Sequence, residues 1–260
     1  MNVYVMTDME GITGVVNTQQ VEKGSPSYEE ARLLLAGDVN AAIAGAFDAG
    51  AKRVVVNDAH GGGFNLPLEK MDTRAEYEQP FTGLNVLPAI TSDFDAFMIV
   101  GQHAMSGTPN AFLEHTQSSE SWHRYWIEGV EHGELGQYSF YASAFGVPLV
   151  FCSGDLAAAQ EAKAFAPGVE AVSVKEAIGR LRCRSLSPEE AHKRIREGVV
   201  SALKRRASIK PRRLDYPVSV KLEFNRCSSA DNFDRKPRYR RPDGFTIEWT
   251  AENERDLLPY

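Results

Sequence analysis

Carboxylate and imidazole side chains follow three predicted core strands near the start of the chain. Asp8 and Glu10 follow the first apolar run, His60 follows the second, and His103 follows the third. In an open α/β sheet, ligands gather beyond the carboxyl ends of the strands, at the topological switch point. Because strand side chains alternate, Asp8 and Glu10 are expected to point the same way.

Two carboxylates held together at the end of a buried strand repel each other unless a cation or a cationic side chain neutralises them. One acid or one histidine after a single strand is usually an ordinary polar loop residue. Their recurrence after three strands brings together the oxygen and nitrogen ligands that a divalent metal needs. The residues themselves therefore predict a metal site that contains Asp8, Glu10, His60 and His103.

Two further segments carry groups of this kind. Glu134, in Gly133-Glu134-Leu135-Gly136, opens a predicted helix. An acid at that position complements the helix dipole, so the residues alone leave open whether it is a ligand. His115, in Glu114-His115-Thr116, follows a loop that contains Gly107 and Pro109.

Apolar runs and helical periodicity predict the elements that position these groups. The predicted core strands are 3–6, 54–56, 97–100, 148–151 and 169–174. The first predicted helix starts at a Ser27/Glu30 capping box and ends before Gly50. Three further helices are predicted over 134–145, over 156–165 and from Ser187 to about Ala207. Alternating strands and helices predict an α/β fold, a mostly parallel sheet sandwiched by helices. A segment from Phe64 to Gly83 is charged and weakly periodic, and we predict irregular structure there.

The composition changes near residue 209, where the chain becomes more basic and strand-like. We therefore predict a core of residues 1–208 and a smaller C-terminal α+β lobe of residues 209–260, with strands at 218–224 and 245–249. Its loop Arg235–Arg241 resembles a phosphate-binding run. The net charge of −6 favours a solvated or subunit-facing surface instead, and hence no nucleic-acid partner.

The overall composition is that of a globular protein, with 43% hydrophobic and 25% charged residues. We find neither an apolar run of the roughly 18 residues that a spanning helix needs nor a signal-peptide pattern, so we expect a cytoplasmic protein without a membrane partner. Cys152, Cys183 and Cys227 are odd in number and lack C-x-x-C spacing. Any metal is therefore expected to use histidine and carboxylate ligands.

The motifs resemble those of the zinc-dependent D-aminopeptidases of the DppA type, peptidase family M55. The matching segments, in the family's order, are Thr7-Asp8-Met9-Glu10-Gly11, Val56-Asn57-Asp58-Ala59-His60-Gly61, Gly101-Gln102-His103-Ala104, Glu114-His115-Thr116 and Gly133-Glu134-Leu135-Gly136. The resemblance extends to about Asn225, and the basic C-terminal lobe departs from the family.

This resemblance implies a centre of two zinc ions and a catalytic histidine, His115. The implied metal ligands are a bridging Asp8 with Glu10, His60, His103 and Glu134. The family's usual account makes the histidine a nucleophile. Chemistry alone equally allows His115 to be a proton shuttle or a donor to the oxyanion.

The implied reaction is hydrolysis of short peptides with a free amino terminus, preferentially D-amino-acid peptides such as D-Ala-D-Ala. Two metal ions can hold the amino terminus and the scissile carbonyl and lower the pKa of a bound water toward ~7. The family also implies a homo-oligomer, a decamer of two stacked pentamers around a channel, which admits small peptides.

Two other interpretations fit the same ligands. A two-metal phosphoesterase or amidohydrolase also uses Asp, Glu and His, but phosphate esters usually require an Arg or Lys clamp, and none stands beside the first three strand ends. Alternatively, the metal stabilises a structural or nucleic-acid-binding protein that acts through the basic loop. Zinc content and hydrolysis of a D-Ala dipeptide separate these possibilities.

Overall fold

The computed structural model describes residues 1–80 and 86–259. Its strands are β1 (Asn2–Thr7), β2 (Arg53–Asp58), β3 (Glu76–Glu78), β4 (Ala96–Gln102), β5 (Trp122–Ile127), β6 (Val130–Glu131), β7 (Leu149–Asp155), β8 (Glu170–Gly179), β9 (Arg182–Ser185), β10 (Val218–Phe224) and β11 (Thr246–Ala251). Its helices are α1 (Pro26–Asp48), α2 (Glu134–Ala144), α3 (Leu156–Phe165), α4 (Pro188–Arg205) and the short α5 (Cys227–Asp231).

Seven strands form the main sheet, in the order β3-β2-β1-β4-β7-β8-β9. All neighbours in it are parallel except β8 and β9, which form an antiparallel hairpin. The chain proceeds from β1 through β2 to β3 and then crosses to β4 on the other side of β1. The strand order therefore reverses between β1 and β4, and this is the switch point at which ligands bind in open α/β sheets.

The main sheet is buried on both faces, which explains why its central strands are continuous apolar runs. In β1, Tyr4 belongs to the apolar cluster on one face and Val5 to the cluster on the other. Helices α2 and α3 contribute to the first cluster, and α1 and α4 contribute to the second. The predicted α/β fold, with a mostly parallel sheet sandwiched by helices, is confirmed.

The start of α1 differs from the predicted capping box. The N-cap is Ser25, and Pro26 is the first helical residue, so the prediction of a cap at Ser27 is wrong. Proline is pre-organised for the first helical position, which places the start of the helix upstream of Ser27. The predicted end is confirmed, because Gly50 follows the helix with φ +88°.

A second, antiparallel sheet has the order β11-β10-β5-β6. It combines strands from the predicted core with strands from the predicted C-terminal lobe, and the division at residue 209 stays a prediction. Arginines of the basic loop pair with acids of the same lobe: Arg238 contacts Asp256 at 2.9 Å, and Arg241 contacts Asp231 at 2.9 Å.

The segment predicted as irregular contains the three-residue strand β3 and a short 3-10 turn, Leu68–Lys70, within the described part of the chain. Its residues 81–83 lie outside the described residues. In the ranges 1–80 and 86–259, no helix combines the length and the apolar character needed to cross a bilayer.

Candidate metal centre

The predicted metal-binding residues meet at the carboxyl edge of β1, β2 and β4, beside the switch point. Asp8 and Glu10 follow β1, His60 follows β2, and His103 follows β4. The first residue of α2, Glu134, lies at the same place and contacts His103 and His115. The structure thus brings together all six residues named from the sequence.

Glycines let the backbones behind the site approach closely. Gly11 N donates to Gly101 O at 2.8 Å, and a Cβ atom on Gly11 would lie 2.0 Å from Gln102 O. Gly101 has φ +87°, and a Cβ atom there would lie 2.1 Å from Asp8 O. Only glycine fits such contacts, so these residues allow the ends of β1 and β4 to place Asp8 beside His103.

The carboxylate of Asp8 lies between two imidazoles. Its Oδ1 is 3.1 Å from His60 Nδ1, and its Oδ2 is 3.2 Å from His103 Nε2. The same His60 nitrogen is 3.1 Å from Glu10 Oε2, and the same His103 nitrogen is 3.3 Å from Glu134 Oε1. Each oxygen of Asp8 therefore faces a different imidazole nitrogen, and each of those nitrogens also faces a second carboxylate.

Hydrogen bonds fix the orientation of the three imidazoles. Each donates one ring N–H to a backbone carbonyl: His60 to Val21 at 3.0 Å, His103 to Ala104 at 2.9 Å and His115 to Leu113 at 2.8 Å. The other nitrogen of each ring faces carboxylate oxygens. A neutral imidazole would turn a lone pair toward these anions, which is unfavourable unless a proton or a metal ion lies between them.

Three buried atoms at the centre of the cluster, Asp8 Oδ2, Glu10 Oε2 and His103 Nε2, have no hydrogen-bond partner within the described residues. Buried polar groups are normally paired. Separations of 3.1–3.3 Å suit donor atoms that share a tetrahedral ion with bonds of about 2.0–2.2 Å. The donor set and its spacing therefore fit zinc.

The charges of the cluster also favour a cation. Burial, together with the Glu10 carboxylate, raises the pKa of Asp8 to about 6. Burial lowers the pKa of His60, but the Glu10 and Asp8 carboxylates outweigh it and hold this pKa well above its ordinary value. The same competition, with Glu134 as the main acid, raises the pKa of His103. Positive charge is therefore stabilised among these acids.

The loop that carries His115 packs against this cluster. The imidazole of His115 stacks on that of His103, with ring centroids 3.9 Å apart, and its Nε2 is 3.7 Å from Glu134 Oε1. Leu113 and Gln117 have left-handed backbones, with φ 52° and 60°. Gln117 N donates to Glu134 Oε1 at 2.7 Å, which ties the loop to the start of α2. His115 lies close enough to His103 and Glu134 for all three to share an ion, so geometry alone permits either a ligand or a catalytic role.

A cleft of about 340 Å³ opens above these residues. Its lining is acidic, hydroxyl-bearing and amide-bearing, and none of the described lining residues is a lysine or an arginine. The lining residues are Asp8, Glu10, Ala59, His60, Gly61, His115, Gln117, Ser118, Ser119, Glu120, Glu134 and Tyr138.

Larger clefts lie elsewhere. One of about 760 Å³ lies between α1 and α4, one of about 520 Å³ lies against the second sheet, and one of about 450 Å³ lies between β8 and α4. None of these three contains any of the clustered imidazole and carboxylate groups of the candidate metal centre. Chemistry and not size therefore identifies the functional cleft.

The sequence interpretation missed the residues that support this cluster. Lys175, buried in β8, contacts the loop after Asp8, and Gln117 contacts Glu134. A lysine directly after a predicted buried strand was the available signal, since a buried ammonium requires hydrogen-bond acceptors.

Three carboxylates and three imidazoles at the switch point of a parallel sheet are typical of metal-dependent hydrolases. Comparisons with known proteins agree. The model of the D-aminopeptidase family Peptidase_M55 matches residues 1–259. A D-aminopeptidase of Bacillus subtilis (strain 168) is 32% identical over 236 residues, which cover 89% of this chain and 84% of that protein.

A solved structure, described as the Zn-dependent D-aminopeptidase DppA from Bacillus subtilis, a self-compartmentalizing protease, superposes with a TM-score of 0.95. It is 27% identical, and the match covers 99% of this chain and 94% of that one. The chain belongs to the D-aminopeptidase family of peptidases.

Proposed function

We propose that this chain is an aminopeptidase that hydrolyses short peptides with a free amino terminus through a centre of two zinc ions. The observation that carries the proposal is the position of Asp8, whose two oxygens face His60 and His103 separately at 3.1 and 3.2 Å. The zinc dependence of the structural relative supports the choice of metal.

The proposed ligands other than Asp8 divide into two pairs. Glu10 pairs with His60, which faces one oxygen of Asp8, and Glu134 pairs with His103, which faces the other. The backbone carbonyls that accept from the two histidines fix the tautomer that each presents, and such outer partners tune ligand basicity.

A pair of zinc ions bound there would supply the Lewis acidity for hydrolysis of the peptide bond near neutral pH. The residue that we assign to proton transfer, or to stabilisation of the oxyanion, is His115. Its Nδ1 donates to Leu113 O, so its Nε2 is the atom that faces the reaction site and can exchange a proton there. Glu134 and the stacked ring of His103 hold this imidazole in place.

We propose D-amino-acid peptides such as D-Ala-D-Ala as substrates, as the family description supports. The cleft of about 340 Å³ suits a peptide of a few residues. We also propose a homo-oligomer, of which a decamer of two stacked pentamers is the family's form. The description of the relative as self-compartmentalizing supports this.

The test combines metal content with substrate choice. Chain purified in zinc should contain two zinc ions, lose activity in a chelator and regain it with added zinc, and cleave D-Ala-D-Ala faster than L-Ala-L-Ala. N-acetylated D-Ala-D-Ala, which lacks the free amine, is the matched control and should not be cleaved. Preferential hydrolysis of a phosphate ester, or a metal-loaded chain inactive on all peptides, would refute the proposal.

A further inference from the structure

The β8–β9 hairpin touches both loops that build the site. Lys175 lies in β8, Arg180 lies in the turn, and Ser185 ends β9. Lys175 and Ser185 contact the loop after β1, which carries Asp8 and Glu10. Arg180 contacts the loop of His115.

Lys175 is 2% exposed and uses its three N–H groups on carbonyls of a single loop. Its ammonium donates to the carbonyl of Glu10, to Ile12 O at 2.9 Å and to Val15 O at 2.8 Å. The ring of Phe112 covers it at 4.4 Å. A buried ammonium is tolerated only when such acceptors surround it, so the lysine and the fold of this loop depend on each other.

Ser185 holds the same loop at a second point. Its Oγ accepts from Gly14 N at 3.0 Å and donates to Leu186 O at 3.0 Å. The loop after β1 is therefore tied to both strands of the hairpin, downstream of Glu10.

Arg180 contacts the loop of His115 through its backbone and its side chain. Its carbonyl accepts from Leu113 N at 2.9 Å. Its guanidinium lies 3.0 Å from a carboxylate oxygen of Glu114 and donates to Glu114 O at 3.4 Å. The two residues that it contacts precede His115 directly, and Leu113 O in turn accepts from the His115 ring. Because Leu113 has a left-handed backbone, external contacts are needed to hold this conformation.

We propose that the β8–β9 hairpin positions both loops of the site and that Lys175 and Arg180 each position one of them. Lys175, aided by Ser185, sets the loop that presents Asp8 and Glu10 to metal. Arg180 sets the loop that presents His115 to the substrate. The proposal rests on the roles proposed above for these side chains.

The first test measures zinc affinity by competition with a chelator, independently of activity. Lys175→Met should bind zinc about 10- to 100-fold more weakly, as expected when a supporting partner of a ligand is lost. Ser185→Ala, a milder change, should weaken binding a few-fold, and it replaces Lys175→Met if that variant does not fold. Lys193→Met, an exposed lysine of α4, is the control and should bind zinc normally.

The second test separates turnover from binding. Arg180→Met should lower kcat on the order of 10-fold while KM and zinc affinity stay within about two-fold. It should also speed the reaction of diethyl pyrocarbonate with His115, followed by mass spectrometry. Arg184→Met is the matched control, because this exposed arginine of the same hairpin pairs with Glu176 and not with either site loop.

Normal zinc affinity in Lys175→Met and Ser185→Ala would overturn the first assignment. A normal kcat and a normal His115 reaction rate in Arg180→Met would overturn the second. If the wild-type chain has no peptidase activity, the proposed function fails, while zinc affinity and histidine modification still report on the hairpin.

Discussion

Asp8 lies between the imidazoles of His60 and His103. Its two oxygens face these rings at 3.1 and 3.2 Å, while Glu10 has its short imidazole contact with His60 and Glu134 has its short contact with His103. We therefore expect Asp8→Ala to lose both zinc ions, because each ion would lose a ligand and the shared charge. His60→Ala and His103→Ala should weaken zinc binding without removing both ions. Elemental analysis of the purified variants measures this, and two ions retained by Asp8→Ala would contradict the bridging role.

His115 differs from the proposed ligands because it lies in a loop, whereas those residues follow strands or begin a helix. We expect His115→Ala to keep the fold and both zinc ions and to lose on the order of 10²- to 10⁴-fold in kcat, with little change in KM. Zinc content and steady-state kinetics on D-Ala-D-Ala measure this. Loss of zinc would show that His115 is a ligand, and near-normal turnover would remove it from the chemistry.

Glu161, on α3, makes the stability of the fold depend on pH. Burial raises its pKa to about 7, although the Met105 N–H that it accepts at 2.8 Å works in the opposite direction. A folded pKa above the ordinary 4.5 means that the protonated carboxyl stabilises the fold at low pH and that this stability is lost as pH rises through about 7.

The side chain in Glu161→Gln cannot ionise, so this variant should not lose stability in this way as the pH rises. We expect wild type to lose about 1–2 kcal/mol of unfolding free energy relative to Glu161→Gln between about pH 5 and pH 8, since the side chain keeps some exposure. Urea unfolding of both proteins at the two pH values measures it. An equal pH dependence would show that Glu161 stays ionised in the fold.

The positions of side chains that follow buried strands could be predicted from the sequence. Asp8, His60 and His103 are of this kind, because parallel strands bring their ends to one edge of the sheet. Their role as metal ligands stays a prediction. The residues alone did not decide whether Glu134 is a ligand, since its position depends on how α2 packs. The role of Lys175 was not visible because its acceptor in Val15 lies 160 residues away.

At the scale of elements, apolar runs identified the strands that are covered on both faces. They did not identify β3 and β9, because these edge strands carry charged side chains and lack an apolar run. The cap of α1 was misplaced by two residues, since a local serine and glutamate pattern competed with the proline that begins the helix.

The contact between the ends of β1 and β4 depends on glycine. A Cβ atom on Gly11 would overlap Gln102 O, so we expect Gly11→Ala to cost about 3 kcal/mol of unfolding free energy and to weaken zinc binding. Gly179→Ala is the matched control, because among the described residues no heavy atom other than those of its chain neighbours lies within 4 Å of its Cβ position, and its stability should be nearly unchanged. Urea unfolding compares the two. Equal stabilities would mean that the strand ends can separate without cost.

At the scale of the molecule, exposed apolar side chains point to contacts between chains. Phe64, Ile178 and Leu181 are each more than half exposed. Surfaces of this kind are commonly covered by a partner. Together with the relative's self-compartmentalizing assembly, they lead us to expect a closed homo-oligomer. Light scattering at micromolar concentration measures the mass. A fully active monomer would refute the prediction, and a smaller ring would change only the number of subunits.

The position of Lys175 in the chain also has a consequence for biosynthesis. The ribosome makes the protein from its amino terminus, so all six residues of the centre, Asp8 to Glu134, exist before Lys175 is added. Until β8 joins the sheet, the carbonyls of Glu10, Ile12 and Val15 lack their ammonium donor. A nascent chain therefore carries every proposed ligand before the loop of Asp8 and Glu10 is held in place, and we expect zinc to bind only after β8 has joined the sheet.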